Sequence, residues 1–253
     1  MRTLLTLVAA LWGAGAGLLL PRAAHRFSVD PDQPWNDRCP AGHRITGAFS
    51  GWLGRAACRQ TEGAEGSGLC GAYGPSTVAA ATTTALACTA LAAAAGPHPE
   101  TAVWVLLTPL AVLLTLVDHR VHRLPDVLTL PLAATTAALL GVAAALPSAT
   151  GSWPTALLGG LALGAAYLVL FLVHPSGMGF GDVKLALALG TALGWYGWQI
   201  LVTGAFAGLV YGSVYGFGMV LARRAGRKSA IPLGPFMIGG AFTGLLLGAV
   251  AAA

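Results

Sequence analysis

The chain has 253 residues, of which 56% are hydrophobic and 9% are charged, whereas about a quarter of the residues of an average soluble protein are charged. This composition excludes a soluble globular enzyme and indicates a polytopic membrane protein. The formal net charge of +5 does not indicate a nucleic-acid partner, because the basic residues lie between apolar runs and are not interleaved with aromatic side chains. We therefore expect membrane lipid, and no nucleic acid, as a partner.

Eight apolar segments can form membrane-spanning helices when about 20 residues are taken per crossing. The first is longer than the apolar region of a usual signal peptide, and further spans follow it, so we interpret it as a retained helix. The sequence thus predicts an all-α fold, a polytopic membrane helix bundle with about eight transmembrane helices. The predicted spans are residues 3–20, 76–95, 101–117, 127–146, 156–173, 183–195, 199–221 and 231–252.

The basic residues lie almost entirely on one side of this predicted bundle. Eight spans place both termini on the same side, and every Lys and Arg except Arg2 then falls in or beside the loops of the opposite side. Cytoplasmic loops typically carry such an excess of Lys and Arg. We therefore predict a multi-pass protein of the cell (inner or plasma) membrane, with both termini outside the cytoplasm.

The only large segment outside the predicted spans is rich in Gly, Pro, Trp and Arg. A piece of fewer than about 70 residues usually needs a disulfide or a metal to fold, and cysteines in a cytoplasmic loop are more often thiols or metal ligands than disulfides. Three cysteines and a histidine make a Cys3His zinc set by residue type, but the paired CxxC spacing is missing, so unligated thiols remain the alternative. The candidate zinc ligands are Cys39, His43, Cys58 and Cys70.

These observations predict three parts of the chain. Residues 1–20 are the first transmembrane helix, and residues 76–253 are a seven-helix membrane core. Residues 21–75 are a small irregular cytoplasmic loop domain that contains Cys39, Cys58 and Cys70, and we call it the cysteine loop.

Few acidic residues follow the cysteine loop. Glu100 falls in a short loop on the side of the termini, whereas Asp118 ends the third span, Asp126 begins the fourth and Asp182 begins the sixth. An acid beside hydrocarbon is costly and therefore marks a functional candidate. A capping role at a helix N-terminus explains Asp126, which follows Pro125, and would also explain Asp182. Asp118 lies at a helix C-terminus, where the dipole disfavours an anion, so we predict that Asp118 and Asp182 work as a pair.

Two close carboxyl groups suit the activation of water. Both cannot ionise cheaply, so they share one proton. One acts as the base toward a water molecule while the other protonates a peptide carbonyl, and the roles then reverse to expel the amine. Proteolysis by this route needs no cofactor. The glycines around Asp182 let a substrate strand approach the backbone, and they are not a dinucleotide loop because the βαβ unit is missing.

Three segments match the motifs of one known family in the same order along the chain. They are GFGDVK at 179–184, a D-x5-LPD-x-LTLPL segment at 118–132 and IPLGPF at 231–236. On these motifs the chain resembles the type IV prepilin peptidases, which are membrane aspartic proteases of the GxGD type. The resemblance assigns the catalytic roles to Asp118 and Asp182. The substrate-binding or site-shaping residues around them are Gly179, Phe180, Gly181, Lys184, Pro125 and Asp126.

The resemblance implies an endopeptidase that removes the short basic leader of type IV prepilin or pseudopilin precursors, after a glycine, at the cytoplasmic membrane face. Many members also methylate the new N-terminus with S-adenosylmethionine, and their loop after the first span carries two CxxC pairs. Cys39 and Cys58 lie where those pairs are expected, and each pair has lost one cysteine. S-adenosylmethionine is therefore a cofactor only if the methyltransferase activity is present.

Two other classes of function compete with a protease. A proton-coupled transporter would use acids and glycine-broken helices near the membrane midplane, but these acids lie at helix ends and no internal repeat is evident. A non-catalytic assembly partner of a secretion machine would use residues 21–75 for docking.

Overall fold

The computed structural model describes residues 1–30, 33–58, 71–175, 177–222 and 232–252. These residues form nine helices and no strand, with two isolated β-bridges in the cysteine loop. The helices are α1 (Arg2–Phe27), α2 (Ala48–Gly51), α3 (Thr77–Ala95), α4 (Pro99–Val121), α5 (Asp126–Ala144), α6 (Trp153–Val173), α7 (Phe180–Gly194), α8 (Trp198–Leu221) and α9 (Gly234–Ala252).

Seven of the described helices, all except α2 and α7, are long and apolar enough to cross a membrane. The prediction of an all-α polytopic membrane helix bundle is therefore confirmed. The sixth predicted span, 183–195, corresponds to α7, which begins three residues earlier. This start lies within the glycine-rich residues 177–181, which we call the glycine turn. Its 15 residues rise about 22 Å, which is less than the roughly 30 Å of a hydrocarbon core.

The short helix α7 lies at the centre of the bundle. Eleven of its 15 residues are buried, and it packs against α5, α6, α8 and α9. Glycines let the backbones of α6 and α7 approach closely: a Cβ atom on Gly190 would lie 2.5 Å from the Gly159 carbonyl oxygen, and one on Gly194 would lie 2.7 Å from the Thr155 carbonyl oxygen. Small residues are the usual means of close helix packing in lipid. The prediction that they serve packing fits this contact.

Several helices meet at one end of the bundle, where α1 and α4 end and where α5, α7 and α9 begin. We call it the aspartate end. The last turns of α1 and α4 pack together through Leu20, Ala24 and Val117. Gly181, at the start of α7, lies against Leu124 in the turn between α4 and α5. The sequence motifs that are far apart in the chain are thereby brought to one end of the molecule.

The described part of the cysteine loop rests on the last turns of α1, which continues to Phe27, seven residues past the end of the first predicted span. The Arg22 guanidinium donates to the Thr46 carbonyl (3.0 Å), and the Asn36 amide donates to the His25 carbonyl (3.0 Å). A small apolar core closes the loop. Its buried members are Cys39, Ile45, Ala56 and Tyr73.

The placement of Glu100 in an outer loop is wrong. The helix α4 begins at Pro99, so Glu100 lies in its first turn, and the side chain is 1% exposed. The physical reason is that Oε1 accepts hydrogen bonds from the backbone N–H and the hydroxyl of Thr150, in the loop between α5 and α6. Burial of an acid is tolerated where such partners exist.

Candidate active site

Asp182 lies in the first turn of α7 and is buried. Its Oδ2 accepts a hydrogen bond of 3.1 Å from the backbone N–H of Gly179, the residue just before the helix. The side chain thus satisfies one of the donors that a helix N-terminus leaves unpaired. The local capping role that the sequence suggested for Asp182 is present, and it occupies only one carboxyl oxygen.

Asp118 lies in the last turns of α4 and is 3% exposed. Its Oδ2 accepts a hydrogen bond of 2.9 Å from the backbone N–H of Gly234, the first residue of α9. The C-terminal dipole of α4 disfavours an anion here, but the N-terminus of α9 favours one. Asp118 therefore does have a helix terminus to stabilise it, one that begins 116 residues later in the chain.

Close contacts bring the two acids together. A Cβ atom on Gly181 would lie 2.8 Å from the Leu124 side chain and 3.0 Å from the Leu124 carbonyl oxygen, so only glycine fits the turn here. A Cβ atom on Gly234 would lie 2.8 Å from the Asp118 Oδ2. Asp118 lies within electrostatic range of Asp182. The structure thus places two buried carboxyl groups from different helices at the aspartate end.

Asp126 and Lys184 form an ion pair beside this site. Asp126 begins α5 directly after Pro125, and its Oδ2 lies 2.6 Å from the Lys184 ammonium. The Asp126 side chain is 61% exposed and that of Lys184 is 16% exposed. Lys184, one of the residues expected to bind substrate or shape the site, thus links α7 to α5 through this ion pair.

Aromatic side chains flank the glycine turn. The Phe180 ring is about half exposed and lies 4.9 Å from the Lys184 ammonium. Its centroid lies 5.4 Å from that of Phe171, and the two rings are tilted by 56°. Tyr167 of α6 is buried within the electrostatic reach of Asp182. Sequence reasoning missed Tyr167, because nothing distinguishes it from the other aromatic residues of an apolar helix. Gly234 lies in the sequence motif at 231–236, but the motif did not indicate a role for this residue.

The cysteine loop holds a candidate metal centre. The Cys39 and Cys58 sulfurs lie 3.8 Å apart, and the His43 Nδ1 lies 3.7 Å from the first and 3.5 Å from the second. Zinc bonds of about 2.3 Å to sulfur and 2.0–2.1 Å to nitrogen, at tetrahedral angles, require ligand separations of about 3.5–3.8 Å. The three donors therefore fit a zinc ion. Cys70, the fourth predicted ligand, lies outside the described residues.

The local fold explains how these donors come together. Cys39 and His43 close a tight turn, in which the Cys39 N–H donates to the His43 carbonyl (2.9 Å) and Gly42 adopts a φ of +84°. Burial disfavours the Cys39 thiolate, yet hydrogen bonds from the backbone and ring of His43, from the Ala41 backbone and from Cys58 outweigh it. They lower the pKa of Cys39 from 9.0 to about 7. A readily formed thiolate suits a metal ligand.

Comparison with known proteins matches residues 105–217 to the type IV leader peptidase family. The prepilin leader peptidase/N-methyltransferase of Aeromonas hydrophila is 36% identical over 173 residues, which are 65% of this chain and 56% of that protein. The protein of the same name from Pseudomonas aeruginosa is 35% identical over 138 residues, 53% of this chain and 46% of that protein. The chain thus spans about half the length of the curated relatives that it matches. No solved structure gives a significant match.

Proposed function

We propose that this chain is a membrane aspartic endopeptidase, because residues 105–217 match the type IV leader peptidase family. Its substrates are the precursors of type IV prepilins or pseudopilin-like proteins, from which it removes a short basic leader. The observation that carries the proposal is the convergence of Asp118 and Asp182, buried at the ends of different helices. Two such acids can activate water without a nucleophilic side chain or a cofactor.

The hydrogen bonds of the two acids leave one oxygen atom of each carboxyl group available for the reaction. In the described part of the chain each carboxyl group accepts one hydrogen bond, at Oδ2, from Gly179 or from Gly234. The Oδ1 atoms are then free to face a water molecule and the scissile peptide. One carboxylate removes a proton from the water as its oxygen attacks the carbonyl carbon, and the other carboxyl group protonates the carbonyl oxygen. Reversal of these roles delivers a proton to the departing amine.

The reaction takes place at the cytoplasmic membrane face in this proposal, and both termini lie on the other side. The support is the distribution of charge, since every Lys and Arg except Arg2 falls on the side of the predicted loops that contains the acids. Such an excess is typical of cytoplasmic loops. The position of the acids at helix ends also favours a peptidase over a proton-coupled transporter, whose acids lie near the midplane.

A structural zinc ion completes the proposal for the cysteine loop. Cys39, His43 and Cys58 would hold it, with Cys70 as the fourth ligand, and it would supply a cross-link to a loop that has only a small apolar core. Proteolysis itself needs no metal in this scheme. The names of the relatives include an N-methyltransferase activity, and S-adenosylmethionine would be a cofactor of this chain only if it shares that activity.

The test is cleavage by the purified full-length chain in lipid vesicles. The substrate is a peptide with a basic leader, a glycine and an apolar helix, and mass spectrometry identifies the products. We expect cleavage after the glycine, and none by a chain carrying both Asp118→Asn and Asp182→Asn. A chain that is folded, as judged by its unfolding temperature, yet leaves this peptide intact would refute the proposed function.

A further inference from the structure

A groove of about 820 Å³ lies between α3, α4 and α9, with parts of α5 and α7 at its base. Its lining is almost entirely apolar. The hydroxyl groups of Thr108, Thr115 and Thr136, which line it, donate to carbonyl oxygens of their own helices. A polar ligand would therefore find few hydrogen-bond partners here, and its own polar groups would be buried without compensation. The groove suits an apolar occupant.

The wall that α4 contributes leads to Asp118. The lining residues Trp104, Thr108, Ala111 and Thr115 follow one another at intervals of four, three and four residues, which keeps them on one face of a helix. The next interval of three residues ends at Asp118. The groove and the carboxyl group thus lie on the same face of α4.

The base that α7 contributes leads to Asp182 in the same way. Leu189 lines the groove, and Asp182 lies seven residues, or about two turns, before it on the same face. On α9 the first lining residue is Pro235, next to Gly234, whose N–H donates to Asp118. Three walls of the groove therefore converge on the two acids.

We infer that this groove holds the apolar helix that follows the scissile bond of the precursor, an inference that rests on the proposed function. The lining of α3 extends from Ser76 to Leu91, a rise of about 22 Å, or four helical turns. This wall contains alanines such as Ala79, Ala87 and Ala90, and small residues let another helix backbone approach closely in lipid. A helix in the groove presents its N-terminal end, and hence the bond to be cut, to Asp118 and Asp182.

This arrangement assigns the recognition of the substrate to shape and hydrophobicity. The groove offers no charged side chain, so it selects an apolar helix with small residues on one face and tolerates many sequences. The competing occupant is a lipid acyl chain, which the experiments below distinguish from a peptide helix.

The first test compares two substrates of the full-length chain in vesicles. One has the leader, the glycine and an apolar helix of about 20 residues, and the other ends a few residues after the glycine. Ala87→Phe and Ala111→Phe each fill the groove, and Ala138→Phe, on the exposed face of α5 and outside the groove, is the matched control. We expect the ratio of kcat/KM for the long substrate to that for the short one to fall at least about tenfold in the groove variants and to stay unchanged in the control.

An unchanged ratio in both groove variants would overturn the inference while leaving the proposed function intact. Failure of the unsubstituted chain to cut either substrate would instead refute the proposed function. These two failures are therefore distinguishable in a single set of measurements.

The second test does not depend on cleavage. A photoreactive phenylalanine replaces Ala87 or, as the control, Ala138 in a chain that also carries Asp182→Asn, and the long precursor is added in vesicles. We expect crosslinks from position 87 to residues after the glycine, at least about five times more abundant than from position 138. Crosslinks from position 87 mainly to lipid would identify the occupant as an acyl chain and overturn the inference.

Discussion

Buried carboxyl groups lie at both ends of the bundle, but the groups that surround them differ. Glu100 lies at the end of the bundle that is opposite the aspartate end, and we call this the far end. Thr150 donates twice to its Oε1, and its Oε2 is buried without a partner in the described residues. At the aspartate end Asp118 lies within electrostatic range of Asp182, and the faces of α4 and α7 that line the groove lead to these two acids. Burial alone therefore does not identify a functional acid. The proposed function requires a second acid and access for a substrate as well.

The largest effect that would separate the two ends is the loss of one acid from the pair. Asp118→Asn or Asp182→Asn should each lower kcat/KM for a precursor by at least about 100-fold, because an amide cannot exchange the proton that general acid–base catalysis requires. The change is nearly isosteric, so the unfolding temperature should stay close to that of the parent. Glu100→Gln is the matched substitution at the far end and should leave cleavage unaltered. Parental activity in either Asn variant would refute the proposal that both acids are required for cleavage.

The next effect concerns the position of Asp118. Gly234→Ala places a Cβ atom 2.8 Å from the Asp118 Oδ2, so the carboxyl group must shift, and a displacement of this kind should lower kcat about tenfold. Gly218→Ala is the control, since a Cβ atom there meets nothing within 4 Å. Steady-state kinetics on the same precursor measures both. Equal rates for the two variants would mean that the contact with α9 does not position the acid.

At the far end the expected effect is on stability. Thr150→Val removes the hydroxyl that donates to Glu100, and leaving a buried acceptor short of a partner costs about 1–3 kcal/mol. The unfolding temperature in detergent should therefore fall while kcat/KM in vesicles stays unchanged. Thr135→Val, at an exposed hydroxyl that bonds its own helix, serves as the control. A loss of cleavage at parental stability would assign Glu100 a role in the reaction.

The smallest effect is expected for the ion pair beside the acids. Lys184→Met or Asp126→Asn should change kcat/KM no more than about twofold, since the Asp126 side chain is 61% exposed and solvent-exposed ion pairs contribute about 0–1 kcal/mol. A double variant should then be no worse than either single one, because all three lack the same pair. Loss of activity comparable to that of Asp182→Asn would mean that Lys184 acts on the reacting groups.

The sequence was sufficient for the features that repeat along the chain or follow local rules. Runs of apolar residues predicted the spanning helices, and the motifs at 118–132 and 179–184 indicated Asp118 and Asp182 as a candidate pair. The argument that no helix terminus stabilises Asp118 was incomplete, because the N-terminus of α9 does so. The contacts that build the site could not be predicted, because they join residues that are distant in sequence. Gly234 is 116 residues from Asp118, and Lys184 lies 58 positions after Asp126. Neither pair leaves a periodic pattern.

Burial was the other property that the sequence did not reveal. Glu100 was expected in a loop because it falls between the predicted spans 76–95 and 101–117, and the two hydrogen bonds from Thr150 make its burial tolerable. The burial of α7 inside the bundle could not be predicted from the sequence either, since its hydrophobicity resembles that of a lipid-facing helix. Hydropathy reports the preference of a segment for an apolar environment but not whether lipid or protein provides it.

The short, enclosed helix α7 has a consequence for the biogenesis of the protein. It is too short to cross the membrane alone and exposes little surface to lipid, so its insertion depends on its neighbours. We expect it to enter the membrane as a hairpin with α6, whose glycines already fit it, and to stay out when α6 is deleted, as cysteine-accessibility mapping would measure. Since α9 follows α7 in the chain and supplies the N–H that holds Asp118, a chain whose synthesis has not reached α9 lacks this contact of the candidate site. Under the proposed function, we therefore expect cleavage to begin only after α9 has packed against α4.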